Sequence, residues 1–213
     1  GLLAVVDADL KAIYVDVATS GRTHDSTTFK KSTFYKGLVE NSLNLPTPEP
    51  LPGAQCAQPF VFVADAAFPI GENLMRPYPG QAKQPKKIYN YRHSRARRVS
   101  ENFFGVLAQR FRILPRPIQA LPQNVTTLVL ACCRLHSMLR DEGVVTDMKP
   151  EKASDVGALS PLPNHVVHPS VAANNVRKEF CRHFNQDGAV DWQLDYINEH
   201  QGQALAGHAR AFS

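Results

Sequence analysis

Apolar positions open the chain as a short run, Leu2 to Val6, closed by Asp7. Asp7-Ala8-Asp9-Leu10 reads as a turn. Lys11 to Val17 then alternates and is rich in Ile, Tyr and Val, which predicts a second strand paired with the first as a hairpin. Asp25 or Ser26 follows the loop Gly21-Arg22-Thr23-His24 and is placed to cap a helix reaching about Glu40. Pro46 to Pro59 is a proline-rich loop. Phe60-Val61-Phe62-Val63-Ala64 is a continuous apolar run ending at Asp65, the pattern of a strand buried on both faces. A Gly/Pro-rich segment extends from Pro69 to Pro85. A helical period starts at Ser94 and runs to about Leu114, where Pro115 and Pro117 stop it. A further helix is expected over Asn124 to Arg140, apolar through Val125, Leu128, Val129, Ala131, Cys132, Leu135 and Leu139 and ended by Gly143. The stretch 144–170 lacks periodicity and reads as a linker or mobile loop. Residues 171–213 read as a helical tail whose last dozen residues fray. Strands first and helices later define an α/β layer architecture, with residues 1–143 as its main domain.

The composition is that of a globular protein. With 213 residues and 43% hydrophobic positions, the chain can bury a core. No run of about 18 apolar residues occurs, so no bilayer-spanning helix is expected. The first residues lack the basic start of a secretory signal. The chain does not begin with Met, which points to a fragment. Four cysteines (Cys56, Cys132, Cys133, Cys181) make no disulfide framework, and a reducing compartment is the expected setting.

Charge changes the picture. The net charge is +5, but Lys83 to Arg116 holds ten basic residues against the single acid Glu101, a local net of +9. The remainder is slightly acidic. Such a block is the footprint of a polyanion binder, and its preference for Arg suits phosphate. Lys86, Lys87, Arg92, Arg95, Arg97 and Arg98 are the candidate DNA-binding residues. A solvated helix face is the plainer reading of the same block.

Two acids stand apart. Asp65 closes an apolar strand, at the edge where α/β folds place ligands. Glu101 lies at about 200° on a helical wheel that starts from Val99, away from the apolar stripe of Val99, Phe103, Val106, Leu107 and Phe111. Gly105 and Ala108 are its small neighbours, and Arg97 stands one turn earlier. The plainer reading of Glu101 is an ion pair with Arg97, worth about 0.2–0.5 kcal/mol. Gly105, a poor helix former, has no place in that account. Together Asp65 and Glu101 are candidate catalytic residues and candidate ligands of Mg²⁺ or Mn²⁺, since hard cations take carboxylate oxygens. Two carboxylates are few for such a site, so a third is expected. Cys132, Cys133 and His136 lie close in sequence but lack the spacing of a zinc site, and Cys132 is expected in the core.

Four stretches resemble the DDE domain of the PIF/Harbinger transposases and the nucleases derived from them. They are Ala4-Val5-Val6-Asp7 with Tyr14-Val15-Asp16-Val17 and the Gly21 to Ser26 turn; Phe62 to Pro69 with Arg76-Pro77-Tyr78; Tyr89 to Gly105 running on to Leu114; and Val176 to Phe180 with Phe184-Asn185 and Asp191-Trp192-Gln193. The third is the most specific. The resemblance implies an RNase H-like fold, a mixed central sheet flanked by helices whose first strand is missing from this chain. It implies metal-dependent cutting and joining of DNA, with Asp65 as the second and Glu101 as the third acid of a triad. Thirty-five residues separate them. No residue here matches the first acid, so the chain is expected to be inactive by itself. Ala64 stands where the family usually has Gly. The alternative is a catalytically dead, domesticated DNA- or protein-binding remnant. The family also implies a nuclear location, with a Myb/SANT-like DNA-binding partner supplying import; without it the protein would stay in the cytoplasm.

Overall fold

The computed structural model describes residues 2–17, 25–80, 82–143 and 170–195. The Gly21 to His24 turn, most of the expected linker and the end of the tail lie outside them, as do the side chains of Asp25 and Ser26. The chain divides into two compact units.

In the first unit, β1 (Leu2–Val6) and β2 (Ala12–Val17) pair antiparallel, as the alternation predicts. Asp7 makes the turn. Its Oδ1 accepts the backbone N–H groups of Asp9 and Lys11, each at 2.9 Å, and its backbone N–H bonds the Lys11 carbonyl. Leu10 takes the left-handed conformation at φ 61°. The expected single helix to Glu40 is instead two, α1 (Asp25–Lys31) and α2 (Thr33–Val39). Ser32 breaks it. The serine hydroxyl donates to the Phe29 carbonyl at 2.6 Å and accepts from Tyr35 N–H at 3.1 Å, capping α2.

The long helix α3 (Gln84–Arg110) contributes its residues from Arg97 onward to this unit, beside α4 (Pro122–Asp141). Phe103, Leu107, Val129 and Cys133 form the core, covered by Leu2, Ala4, Val6, Ala12, Val15 and Val17 of the hairpin. Phe103, Val106 and Leu107 of the stripe read from the sequence are thus the buried face of this part of α3, while Val99 is partly buried and Phe111 lies past the helix end. On α4 the pattern is only partly right. Leu135 is 50% exposed and Ala131 is exposed, whereas His136 is fully buried. The polar ring is tolerated inside because both of its nitrogens find partners. Nε2 lies 2.9 Å from the Leu10 carbonyl and Nδ1 lies 3.4 Å from Arg110 Nη1. Gly143 ends the helix with φ 65°, as expected of a glycine there.

The second unit holds the antiparallel pair β3 (Glu49–Pro50) and β4 (Ala57–Gln58), the parallel pair β5 (Phe62–Val63) and β6 (Leu74–Met75), α3 up to Ala96, and α5 (Val171–Asn185). Three expectations need correction here. The Phe60–Ala64 run is a two-residue strand that pairs with one strand among the described residues, and Phe60 and Val63 are exposed rather than buried on both faces. The Pro69 to Pro85 segment contains a strand, β6, whose Leu74 and Met75 are buried. Helix α3 begins ten residues before Ser94 and ends at Arg110, with Pro85 in its first turn, where a missing N–H costs nothing.

The early start has a physical cause. Polar side chains on this part of α3 bond the backbone beside them. Asn90 Nδ2 donates to the Tyr78 carbonyl at 3.0 Å, and Asn90 Oδ1 accepts Tyr78 N–H at 2.8 Å. His93 Nε2 lies 3.2 Å from the Met75 carbonyl, and the Tyr89 hydroxyl donates to the Arg76 carbonyl at 3.4 Å. Helix α5 is capped by Ser170 and tied to Pro85 through Asn185. The described residues therefore form a mixed α/β protein with three two-stranded sheets, where one central sheet was expected. No helix among them is long and apolar enough to cross a membrane.

Candidate active site

Asp65 stands two residues past β5. The strand pairing continues one residue past β5, with Ala64 N–H on the Met75 carbonyl at 2.8 Å, and the chain then turns. Asp65 Oδ1 accepts Ala66 N–H at 2.5 Å, and its backbone carbonyl accepts Phe68 N–H at 3.1 Å. Arg76, the first residue after β6, reaches across this turn. Its Nη1 lies 3.3 Å from the Phe68 carbonyl and 3.5 Å from that of Ala66. Burial, and after it the neighbouring Arg177 cation, pull the Arg76 guanidinium below its ordinary range. A partly desolvated cation bonded to two carbonyls thus fixes the backbone that carries Asp65, and leaves the Asp65 carboxylate half-buried.

Glu101 stands on the side of α3 away from Phe103, Val106 and Leu107, all of them buried. Arg97 Nη2 meets its Oε1 at 2.5 Å, the pair one turn apart that the spacing allows. Both side chains are substantially exposed, so the pair contributes no more than a few tenths of a kcal/mol. Asp65 belongs to the second unit and Glu101 to the first. Each carboxylate is therefore placed within its own unit.

The basic residues divide in the same way. In the second unit, Lys86 Nζ lies 5.0 Å from the centre of the Tyr78 ring. The Arg92 guanidinium lies 5.1 Å from that of Phe184, and Arg95 lies 4.6 Å from that of Trp192. Lys87 is half-buried. In the first unit, Arg97 holds Glu101 and Arg98 is exposed.

Residues 1–137 match the family described as DDE superfamily endonuclease, a span that includes both acids and all six basic residues. The chain belongs to that family. This DDE-family chain is also 32% identical, over 143 residues, to the protein named Protein ALP1-like from Arabidopsis thaliana. The match covers 66% of this chain and 35% of that relative, so the chain spans about a third of the relative's length. No solved structure matches.

DDE endonucleases as a superfamily work with divalent metals. The donor type here fits such an ion, since Asp65 and Glu101 offer hard carboxylate oxygens. The donor number does not: among the described residues no group of three or more His, Cys, Asp or Glu is placed to hold a metal. At Cys132, Cys133 and His136, burial raises both thiols, Cys133 to about 11, and lowers the imidazole.

Sequence reasoning missed the partners of the basic block. Arg177, 8% exposed, lies 4.1 Å from the Tyr78 ring centre and bonds Asn174 and the Pro77 carbonyl. Phe184 and Trp192 were visible only as part of the family resemblance. Nothing local in the sequence pairs them with arginines about ninety residues earlier.

Proposed function

We propose that this DDE-family chain is part of a PIF/Harbinger-type nuclease with an RNase H-like fold, which cleaves DNA phosphodiester bonds with a divalent metal. The observation that carries the reading is the family match over residues 1–137, with Asp65 and Glu101 inside it. Asp65 and Glu101 would each offer carboxylate oxygens to Mg²⁺ or Mn²⁺. The ion, when bound, would supply charge stabilisation for phosphoryl chemistry. The site needs a third acid beyond these two. Lys86, Lys87, Arg92, Arg95, Arg97 and Arg98 would hold the DNA backbone, which fixes register without reading sequence. Sequence choice and nuclear location would come from a Myb/SANT-like partner.

The test is nicking of supercoiled plasmid in Mg²⁺ or Mn²⁺ by the full-length protein that contains this chain. Asp65→Asn and Glu101→Gln should each abolish nicking while the circular dichroism spectrum stays unchanged. Full activity in either variant, or nicking that survives EDTA, overturns the reading. The second reading is a catalytically dead binding remnant. The ion pair that already occupies Glu101 favours it, and it predicts salt-sensitive DNA binding with no nicking in any metal.

A further inference from the structure

Trp192 is the only tryptophan of the chain, and it is 45% exposed. A large aromatic left half in water is not accounted for by packing. It stands beside Arg95, itself exposed, whose guanidinium lies 4.6 Å from the indole centre. Arg95 Nη1 also reaches the Tyr91 hydroxyl at 3.4 Å, and the Tyr91 ring approaches Trp192 edge-on, with 6.1 Å between centres and 81° between planes. No carboxylate is ion-paired with Arg95 among the described residues. One helical turn earlier, Arg92 repeats the arrangement on Phe184. The three groups lie in one unit, with Tyr91 and Arg95 on the most basic segment of the protein.

We infer that Trp192, Arg95 and Tyr91 form a stacking platform for an unpaired DNA base. The inference rests on the DNA reading above and extends it from duplex to single strand. An indole face accepts any base, because every base has a π-face. A guanidinium over an aromatic ring still has N–H groups to offer phosphate oxygens. Tyr91 fixes the arginine, so little side-chain freedom is lost on binding. Asp191 and Asp195, both exposed, flank Trp192 in sequence and repel phosphates, which leaves the indole to a base and Arg95 to the backbone. In duplex DNA the base faces are already stacked, so the platform selects single-stranded or locally opened DNA.

Because the tryptophan is unique, its fluorescence reports this site alone. The chain is titrated with a fifteen-residue oligothymidine and with a fully paired duplex of the same length. Binding is read by Trp192 emission and, separately, by anisotropy of end-labelled DNA. The single strand should quench Trp192 saturably and the duplex should not. Trp192→Ala should weaken single-strand binding about 5- to 100-fold. Trp192→Phe, which keeps a ring, should recover most of that loss and serves as the folding control. Duplex affinity should be nearly the same in all three proteins. Unquenched emission at saturating single strand, or equal affinities for parent and Trp192→Ala, overturns the platform while leaving the nuclease reading intact. Binding to neither DNA form overturns both.

Discussion

Replacing His136 probes how the first unit is held together. The ring is fully buried and packs edge-on to Phe103, with 5.2 Å between ring centres and 88° between planes. The Leu10 carbonyl can only accept and the Arg110 guanidinium can only donate. Neutral histidine with its proton on Nε2 satisfies both. His136→Ala opens a cavity in the core, a change that costs about 2–5 kcal/mol for large side chains. It also strands the Leu10 carbonyl in the turn of the hairpin, for about 1–3 kcal/mol. Relaxation offsets part of the sum, so roughly 3–5 kcal/mol is expected, a large share of an ordinary domain's stability of about 5–15 kcal/mol. His136→Phe keeps the ring and its contact with Phe103 but not the hydrogen bonds, and should cost about 1–3 kcal/mol. Burial, the largest influence, holds the His136 pKa below its ordinary value, and the Arg110 and Arg140 cations act the same way. Below about pH 6.5 the unfolded chain therefore takes up a proton that the folded chain resists. The contribution is complete above that pH and is lost as pH falls through it. Urea denaturation followed by far-UV circular dichroism at pH 7.5 and pH 5.5 measures all of this. The parent should lose more stability than His136→Phe between the two pH values. If the two variants cost the same, the assignment of hydrogen bonds to His136 is wrong; if His136→Phe loses as much stability as the parent between the two pH values, the pH dependence does not come from His136.

Thiol accessibility should follow burial. Cys56 is exposed, whereas Cys132, Cys133 and Cys181 are buried with their thiols shifted upward. Ellman's reagent at pH 8 should therefore titrate one thiol quickly in the native protein and the other three only in denaturant; two fast thiols would contradict the placement. Asp7→Ala removes the acceptor for two turn N–H groups and should cost about 1–2 kcal/mol in urea denaturation, while Asp7→Asn, which keeps an acceptor oxygen, should lose less than half of that. Equal losses would mean that the charge of Asp7, and not its hydrogen bonds, secures the turn.

What the sequence disclosed and what it hid follow from the range of the forces involved. The β1–β2 hairpin is local: alternation sets the facing residues and Asp7 supplies the turn bonds, so it was readable to within a residue. Helix α4 announces itself through its apolar positions and Gly143, although it starts at Pro122, two residues before the expected Asn124. The first ten residues of α3 do not, because Tyr89, Asn90 and His93 look like loop residues until their bonds to the Met75–Tyr78 backbone are known. Strand β6 is two residues long and exists through its pairing with β5, which no local pattern encodes. At the candidate site, Asp65 was legible as the acid that ends an apolar run, and Glu101 as the lone acid in a basic helix. The hold of Arg76 on the Asp65 turn was not, nor were the aromatic rings beneath Lys86, Arg92 and Arg95. The Glu101–Arg97 pair was readable from spacing, and the structure contains it.

The register of the hairpin slips by one residue between Val5 and Val6: Val5 faces Tyr14, but Val6 faces Ala12. Ile13 is the residue left over, and it is 64% exposed. Leu2 with Val17, Ala4 with Val15 and Val6 with Ala12 all turn toward the core, although Ala12 and Val15 differ in parity along their strand. Ile13 thus absorbs a change of phase between the two ends of β2. A descendant that lost this one codon would keep every inward pair in an unbroken ladder. Loss of Tyr14 would keep them too, with Ile13 opposite Val5, whereas loss of Val15 or Asp16 would bring Tyr14 opposite Ala4 on the inward face. Among related chains, length variation in this hairpin should therefore be concentrated at Ile13 and Tyr14, even though the whole strand looks equally apolar on paper.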